Sequence, residues 1–267
     1  MNRKIVFMAL VAAAPLSVSG CQNDSAAALA VESAATPTRQ IAKPPAAPRA
    51  VEEELFEGVA DSRAKSWDAF LSSVSKDERT YLEGLSQRYF GALHFSTAAE
   101  RSELISLGTP LPEEWLVAQH VSDADLRAMA DDNNRKAGIF LVDRLLARMA
   151  SVMEQAGASS YLEVVNALPE AQRPAIDRDR REAMDRSASQ FSISPTPFTA
   201  YQFGLGFSAG TGSTAGIPAA MTVAGELGDP RAVKLLAAYT ATHPDEDPKL
   251  VTNVIGAMRA LAKPSEK

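Results

Sequence analysis

Apolar side chains along most of this chain recur at three- and four-residue intervals, the period of one face of an α-helix. Trp67, Phe70, Leu71 and Val74 form one such stripe, and Tyr81, Leu82, Leu85 and Tyr89 another. The alternation over six or more residues that marks a half-buried strand is scarce. Punctuation agrees with helices. Thr97 to Glu100 spells a capping box with Gly108 as the stop, and Ser122 to Asp125 offers a related start with Gly157 ending that region. Pro112, Pro230 and Pro248 fit first-turn positions, the last two preceded by Asp229 and Asp247 as caps. The pattern predicts roughly eight to ten helices in an all-α fold, an irregular domain of antiparallel helix pairs. Its longest periodic stretch, Asp123 to Ala156, is interrupted by polar Asp131 to Asn134. Two helices are expected there, with Asn134-Arg135-Lys136-Ala137 opening the second.

Two segments near the start depart from this pattern. Residues 1–20 have the three parts of an export signal: basic Arg3 and Lys4, an apolar stretch from Ile5 to Leu16, and small residues Ser17 to Gly20. The apolar stretch falls short of the roughly 20 residues that span a bilayer, and the chain turns polar at Gln22, Asn23 and Asp24. From Ser25 to about Ala50, alanine and proline dominate, with Pro37, Pro44, Pro45 and Pro48 and few large apolar side chains. Such a composition buries too little surface to offset its ordering entropy. Residues 21–51 therefore read as a disordered tether stiffened by proline, and residues 52–267 as a helical domain long enough for a proper core.

Without Arg3 and Lys4 the chain carries 25 Lys and Arg against 33 Asp and Glu, a formal charge of −8. That balance argues against nucleic acid, which is bound through basic patches, and against electrostatic docking on anionic lipid. A protein partner or a small ligand remains. The chain has one cysteine, Cys21, so it has no intramolecular disulfide, and stability must come from the core.

Gly206-Phe207-Ser208-Ala209-Gly210 matches G-x-S-x-G, the nucleophile elbow of α/β-hydrolases, in which glycines relieve a strained strand-to-helix turn around the serine. The context disagrees, because the preceding 150 residues read as helices and only 57 follow Gly210. Seven of the fifteen glycines fall between Gly204 and Gly228. That segment reads as either a surface loop or a close-packed turn where helix backbones approach. Its aromatic residues Phe198, Tyr201, Phe203 and Phe207 are candidates for core or for a ligand- or partner-binding groove. Gly204 to Gly210 has neither phosphate-loop spacing. His94, His120 and His243 are far apart and fit surface or capping positions rather than metal ligands. Asp245-Glu246-Asp247 lacks the alternation and glycine of a calcium loop. The run Asp177 to Arg186 alternates sign, pairing Asp177 with Arg181 and Glu182 with Arg186, and reads as an exposed helix face. No metal or cofactor is implied.

Val18-Ser19-Gly20-Cys21 resembles the lipobox of bacterial lipoproteins: an aliphatic residue, two small ones and an acceptor cysteine. The resemblance covers only this segment. It implies a diacylglycerol on the Cys21 sulfur, cleavage before Cys21 and acylation of the freed amine. Several acyl chains, at roughly 0.8 kcal/mol per buried methylene, anchor durably where one binds marginally. Gln22, rather than aspartate, after the acceptor is similar to the outer-membrane-sorted pattern, which places the protein on the inner face of the outer membrane.

Asn134-Arg135-Lys136-Ala137 and Gly228-Asp229-Pro230-Arg231-Ala232 faintly resemble the helix-turn-helix units of Sel1-like or tetratricopeptide repeats, where a polar turn precedes a packing alanine. No period of 34 to 40 residues connects the two places. Three functional readings stand side by side. One is a non-catalytic, membrane-anchored module that binds a periplasmic protein, for instance an inhibitor or immunity protein. The others are a hydrolase acting through Ser208, and a helical protein that takes a small ligand between Phe198, Tyr201 and Phe203.

Overall fold

Eleven α-helices and no strand make up the described residues, which in this computed structural model are Phe56, 63–158, 163–164 and 168–263. Cys21, the export signal and the tether lie outside them. The helices are α1 (Trp67–Ser73), α2 (Lys76–Arg88), α3 (Ala98–Ser106), α4 (Pro112–Gln119), α5 (Asp123–Asp131), α6 (Arg135–Ala156), α7 (Arg173–Ile193), α8 (Pro197–Thr211), α9 (Gly216–Glu226), α10 (Ala232–Thr242) and α11 (Pro248–Leu261). None is long and apolar enough to cross a membrane.

The caps follow local chemistry. Ser75, Thr97, Ser122, Asn134 and Thr196 each accept a backbone N–H three residues on, satisfying donors that a helix start leaves unpaired. Glu100 completes the second of these caps by accepting from the Ser96 N–H rather than that of Thr97. The interruption after Asp131 is a tight turn. Asn133 takes a left-handed φ of +71°, the Asn134 N–H returns to Met129 O at 2.9 Å, and Asn134 Oδ1 accepts from the Ala137 N–H at 3.0 Å. The α9–α10 turn repeats the arrangement, with Gly228 at φ +104° and the Asp229 N–H on Ala224 O at 3.0 Å. Ala137 and Ala232, the alanines after the two turns, are both buried. An Asn134→Ala variant should lose about 1 kcal/mol of stability, read as a lower urea midpoint; an unchanged midpoint would refute the cap's contribution.

The core forms where α6 meets α5, α7 and α8. Seven consecutive residues of α6, Ala137 to Asp143, are buried, because this helix has neighbours on several sides. Trp115 of α4 meets Phe140 edge-on at 4.7 Å between ring centroids, and Tyr89 and Phe198 approach to 5.0 Å. Offset and edge contacts of this kind are the favoured aromatic geometries.

Several positions differ from expectation. Of the two readings of the glycine-rich segment, the surface loop gives way to the close approach of helix backbones: the segment builds the second half of α8 and most of α9, joined by residues 212–215, and Gly204 faces Gly216. Pro230 does not occupy a first turn, because α10 starts at Ala232 and Asp229 Oδ1 instead accepts from the Arg231 N–H at 3.0 Å. Asp177 pairs with Arg180 at 3.4 Å, while Arg181 Nε donates to the Asp177 carbonyl. The charged side of α7 is also only partly a solvated face. Asp179 is buried and accepts from Arg148 Nε at 2.9 Å. Glu182 takes Arg127 and Arg186, and Arg186 continues to Asp131 at 2.8 Å. The Arg127 hydrogen bonds hold the Glu182 carboxyl below its ordinary pKa. Arg127 and Arg148 arrive from α5 and α6, and Arg186 of α7 reaches back to α5, so the run ties helices together as well as facing water.

Candidate functional site

Ser208 sits within α8, one turn after Gly204, and its buried Oγ meets no hydrogen-bond partner among the described residues. The G-x-S-x-G segment therefore forms no strand-to-helix elbow. Its small residues serve packing instead: Gly204 and Ser208 face Gly216 and Ala220 of α9, while Gly206 and Gly210 face Ser187 and Met184 of α7.

The aromatic candidates divide similarly. Phe198 packs on Tyr89 and Trp115, Phe203 lies between Phe191 and Phe207, and the Tyr201 hydroxyl donates to Asp229 at 2.9 Å. The first three fill the core rather than a groove, because α8 has α6, α7 and α9 around it. Phe207 is half-buried. His120 and His243 end α4 and α10 as C-caps. Among the described residues no group of three His, Cys, Asp or Glu side chains is placed to hold a metal.

A surface cleft lies elsewhere, where the α3–α4 connection faces the start of α6. A half-open cleft of about 380 Å³ is lined there by Ile105, residues 108–111, Glu114, Arg135, Lys136 and Ile139. Gly108, at φ +86°, lets the connection turn beneath Thr196, whose side chain would lie 2.9 Å from an added Cβ. Arg101 Nη2 donates to both Glu113 carboxylate oxygens at 2.8 Å and holds α3 against α4. Within the cleft the Glu114 carboxylate is almost wholly buried, at 2 % exposure. It accepts from Lys136 Nζ at 2.5 Å and from the Leu111 N–H at 2.9 Å, so its charge is matched.

Arg135 has no such match. It is exposed and engages no carboxylate among the described residues. It occupies the first position of the 22-residue α6, with Lys136 at the second and no acidic residue in the first turn. The partial positive charge of a helix N-terminus disfavours cations there by about 0.3–1 kcal/mol each. Lys136 is compensated by Glu114, whereas Arg135 breaks the local rule with no such contact among the described residues. Arg135 also lines a neighbouring depression of about 190 Å³ with Gln190 and Ile193. Ile193 is 75 % exposed and Ile105 40 %, and Gln190 Oε1 is buried without a hydrogen-bond partner among the described residues. One cation thus joins two depressions, each rimmed by an exposed isoleucine. The arrangement suits an acidic, aliphatic segment.

Comparison with known proteins returned no matching family model, no matching curated protein and no matching solved structure. Part of the cleft was visible in the chain itself. Once Asn134 is read as a cap, Arg135 and Lys136 stand out as cations in a first turn. Glu114, twenty-two residues from Lys136, carries no such mark.

Proposed function

We propose that this chain is a lipid-anchored envelope protein whose helical domain binds another protein, seating an acidic, aliphatic segment of it on the Arg135 surface. The observation that carries the reading is Arg135 itself: an unmatched cation at the start of the longest helix, shared by two depressions and flanked by exposed Ile105 and Ile193. The export signal, the lipobox resemblance at Cys21 and the proline-rich tether support an anchored module on the inner face of the outer membrane. Neutralising an envelope-attacking enzyme, as an inhibitor or immunity protein does, is a specific form of this reading.

The test is cross-linking and capture of the full chain from cell envelopes, comparing wild type with Cys21→Ala and Arg135→Glu. Wild type should fractionate with the membrane and retain one stoichiometric partner, released by salt because screening weakens exposed charge contacts. Cys21→Ala should leave the membrane. Arg135→Glu should lose the partner by about tenfold or more without losing stability, since an acidic first turn suits the helix dipole. Membrane retention of Cys21→Ala would sink the anchor, and undiminished capture by Arg135→Glu would sink the binding surface.

A further inference from the structure

A separate cavity of about 460 Å³ opens between α1, α2 and the turn that follows α2. Ser86, only 3 % exposed, lines it, with its Oγ 2.6 Å from Nε2 of His94. The imidazole is held in place from several directions. Its ring stacks on Trp67, with centroids 5.1 Å apart and planes 27° from parallel. Its backbone N–H donates to Gly91 O at 3.0 Å, and its carbonyl accepts from the Arg231 guanidinium at 2.8 Å. The turn between the two residues is unusual. Phe90, an aromatic residue, sits at φ +56°, followed by Gly91 at φ +80°. Left-handed backbone at a bulky residue costs energy and gathers at functional sites.

We propose that Ser86 is a nucleophile activated by His94, and that it takes an acyl group from a carboxylic ester with an apolar acyl chain. The acyl preference follows from the walls. Trp67, Leu71 and Phe90 give apolar surface, while Asp68 and Glu83 would repel an anionic acyl chain. The inference concerns a different cavity from the Arg135 surface and does not rest on the binding role proposed for it.

The chemistry uses two side chains. Ser86 donates its hydroxyl proton to Nε2 as an Oγ lone pair bonds to the carbonyl carbon and the carbonyl π pair moves onto oxygen. Collapse of this adduct breaks the bond to the alkoxide, which leaves with the proton from Nε2. The products are an alcohol and a Ser86 acyl ester. Water then attacks that ester, gives its proton to His94, and releases a carboxylic acid as Ser86 recovers its hydrogen. In this role Nδ1 carries the ring proton. Partial burial lowers the His94 pKa, with Asp68 opposing and Arg231 reinforcing the shift, so the ring is neutral near pH 7 and free to accept.

The test exposes the full-length protein to a fluorophosphonate–biotin probe and, separately, to p-nitrophenyl butyrate, with the labelled site read by peptide mass spectrometry. Wild type and Ser208→Ala should be labelled on Ser86, and His94→Gln at about a tenth of that rate or less. Ser86→Ala should take no label and release no p-nitrophenol above buffer, while melting with wild type. An unlabelled wild type, label on another residue, or His94→Gln reacting at the wild-type rate would each overturn the proposal.

Discussion

Replacing Arg88 with methionine is expected to destabilise the fold by about 3–5 kcal/mol near neutral pH, because it strands a buried carboxylate. Arg88 Nη1 lies 2.6 Å from Asp143 Oδ1, and the Asp143 side chain is only 3 % exposed. The aspartate stands on α6 beside Tyr89, whose hydroxyl accepts from Gln202 Nε2 at 3.1 Å; the same nitrogen donates to Ile139 O at 2.9 Å. Burial pushes the Asp143 carboxyl above its ordinary pKa, and Arg88 pulls the other way. Without the guanidinium the rise is larger. A folded state that holds this proton more tightly than the unfolded chain loses stability as pH climbs through the unfolded value of about 3.9 toward the raised folded one, and the loss persists above it. The deficit of Arg88→Met should therefore be smaller at about pH 4.5 than at about pH 7.5, as read from paired urea midpoints. The double variant Arg88→Met/Asp143→Leu should recover most of the loss, since removing both charges removes the desolvation cost. A double variant as unstable as the single one would assign the loss to packing of the Arg88 stem.

Helix class and helix ends were legible in the sequence because their causes are local. Ser122, Asn134 and Gly157 act within three or four residues of themselves, and the structure places them as caps. Contacts that depend on which helix covers which were not legible. Arg127 reaches Glu182 across 55 residues and Arg148 reaches Asp179 across 31, so an alternating charge run that looked solvated turned out to bind neighbouring helices. Phe198, Tyr201 and Phe203 share this ambiguity: an aromatic-rich helix start looks the same whether three helices enclose it or a groove exposes it. The Ser86–His94 contact spans only eight residues, yet it depends on Phe90 adopting a left-handed backbone that no residue pattern signals. The Arg135 surface lies between these cases, since a first turn with two cations and no acid is readable from residues 134–137 alone.

Glycine content illustrates the same limit and leads to the second large effect. A dense run of glycines leaves a loop and a close approach of backbones equally open, because helix propensity, at about 1 kcal/mol per glycine, argues for the first and only packing partners decide for the second. In α8 and α9 that cost is offset by contact. Gly204 and Ser208, and opposite them Gly216 and Ala220, recur four residues apart on facing sides of the two helices. The backbones come so close that a Cβ on Gly216 would lie 2.5 Å from the Gly204 carbonyl, and one on Gly204 would collide with Ala220 and with the Gly216 carbonyl. Backbone atoms have little freedom to yield, so the helices themselves must separate. Gly204→Val is accordingly expected to cost about 3 kcal/mol, the upper end for overpacking, seen as a lower melting temperature and urea midpoint. Gly256 is the internal control. It is exposed on α11 with nothing within 4 Å of an added Cβ, and Gly256→Ala should gain roughly 0.5–1 kcal/mol from propensity alone. A Gly204→Val protein that melts with wild type would mean that α8 and α9 do not approach through these residues. Opposite signs at two helical glycines would show that the run between Gly204 and Gly216 is there for close packing.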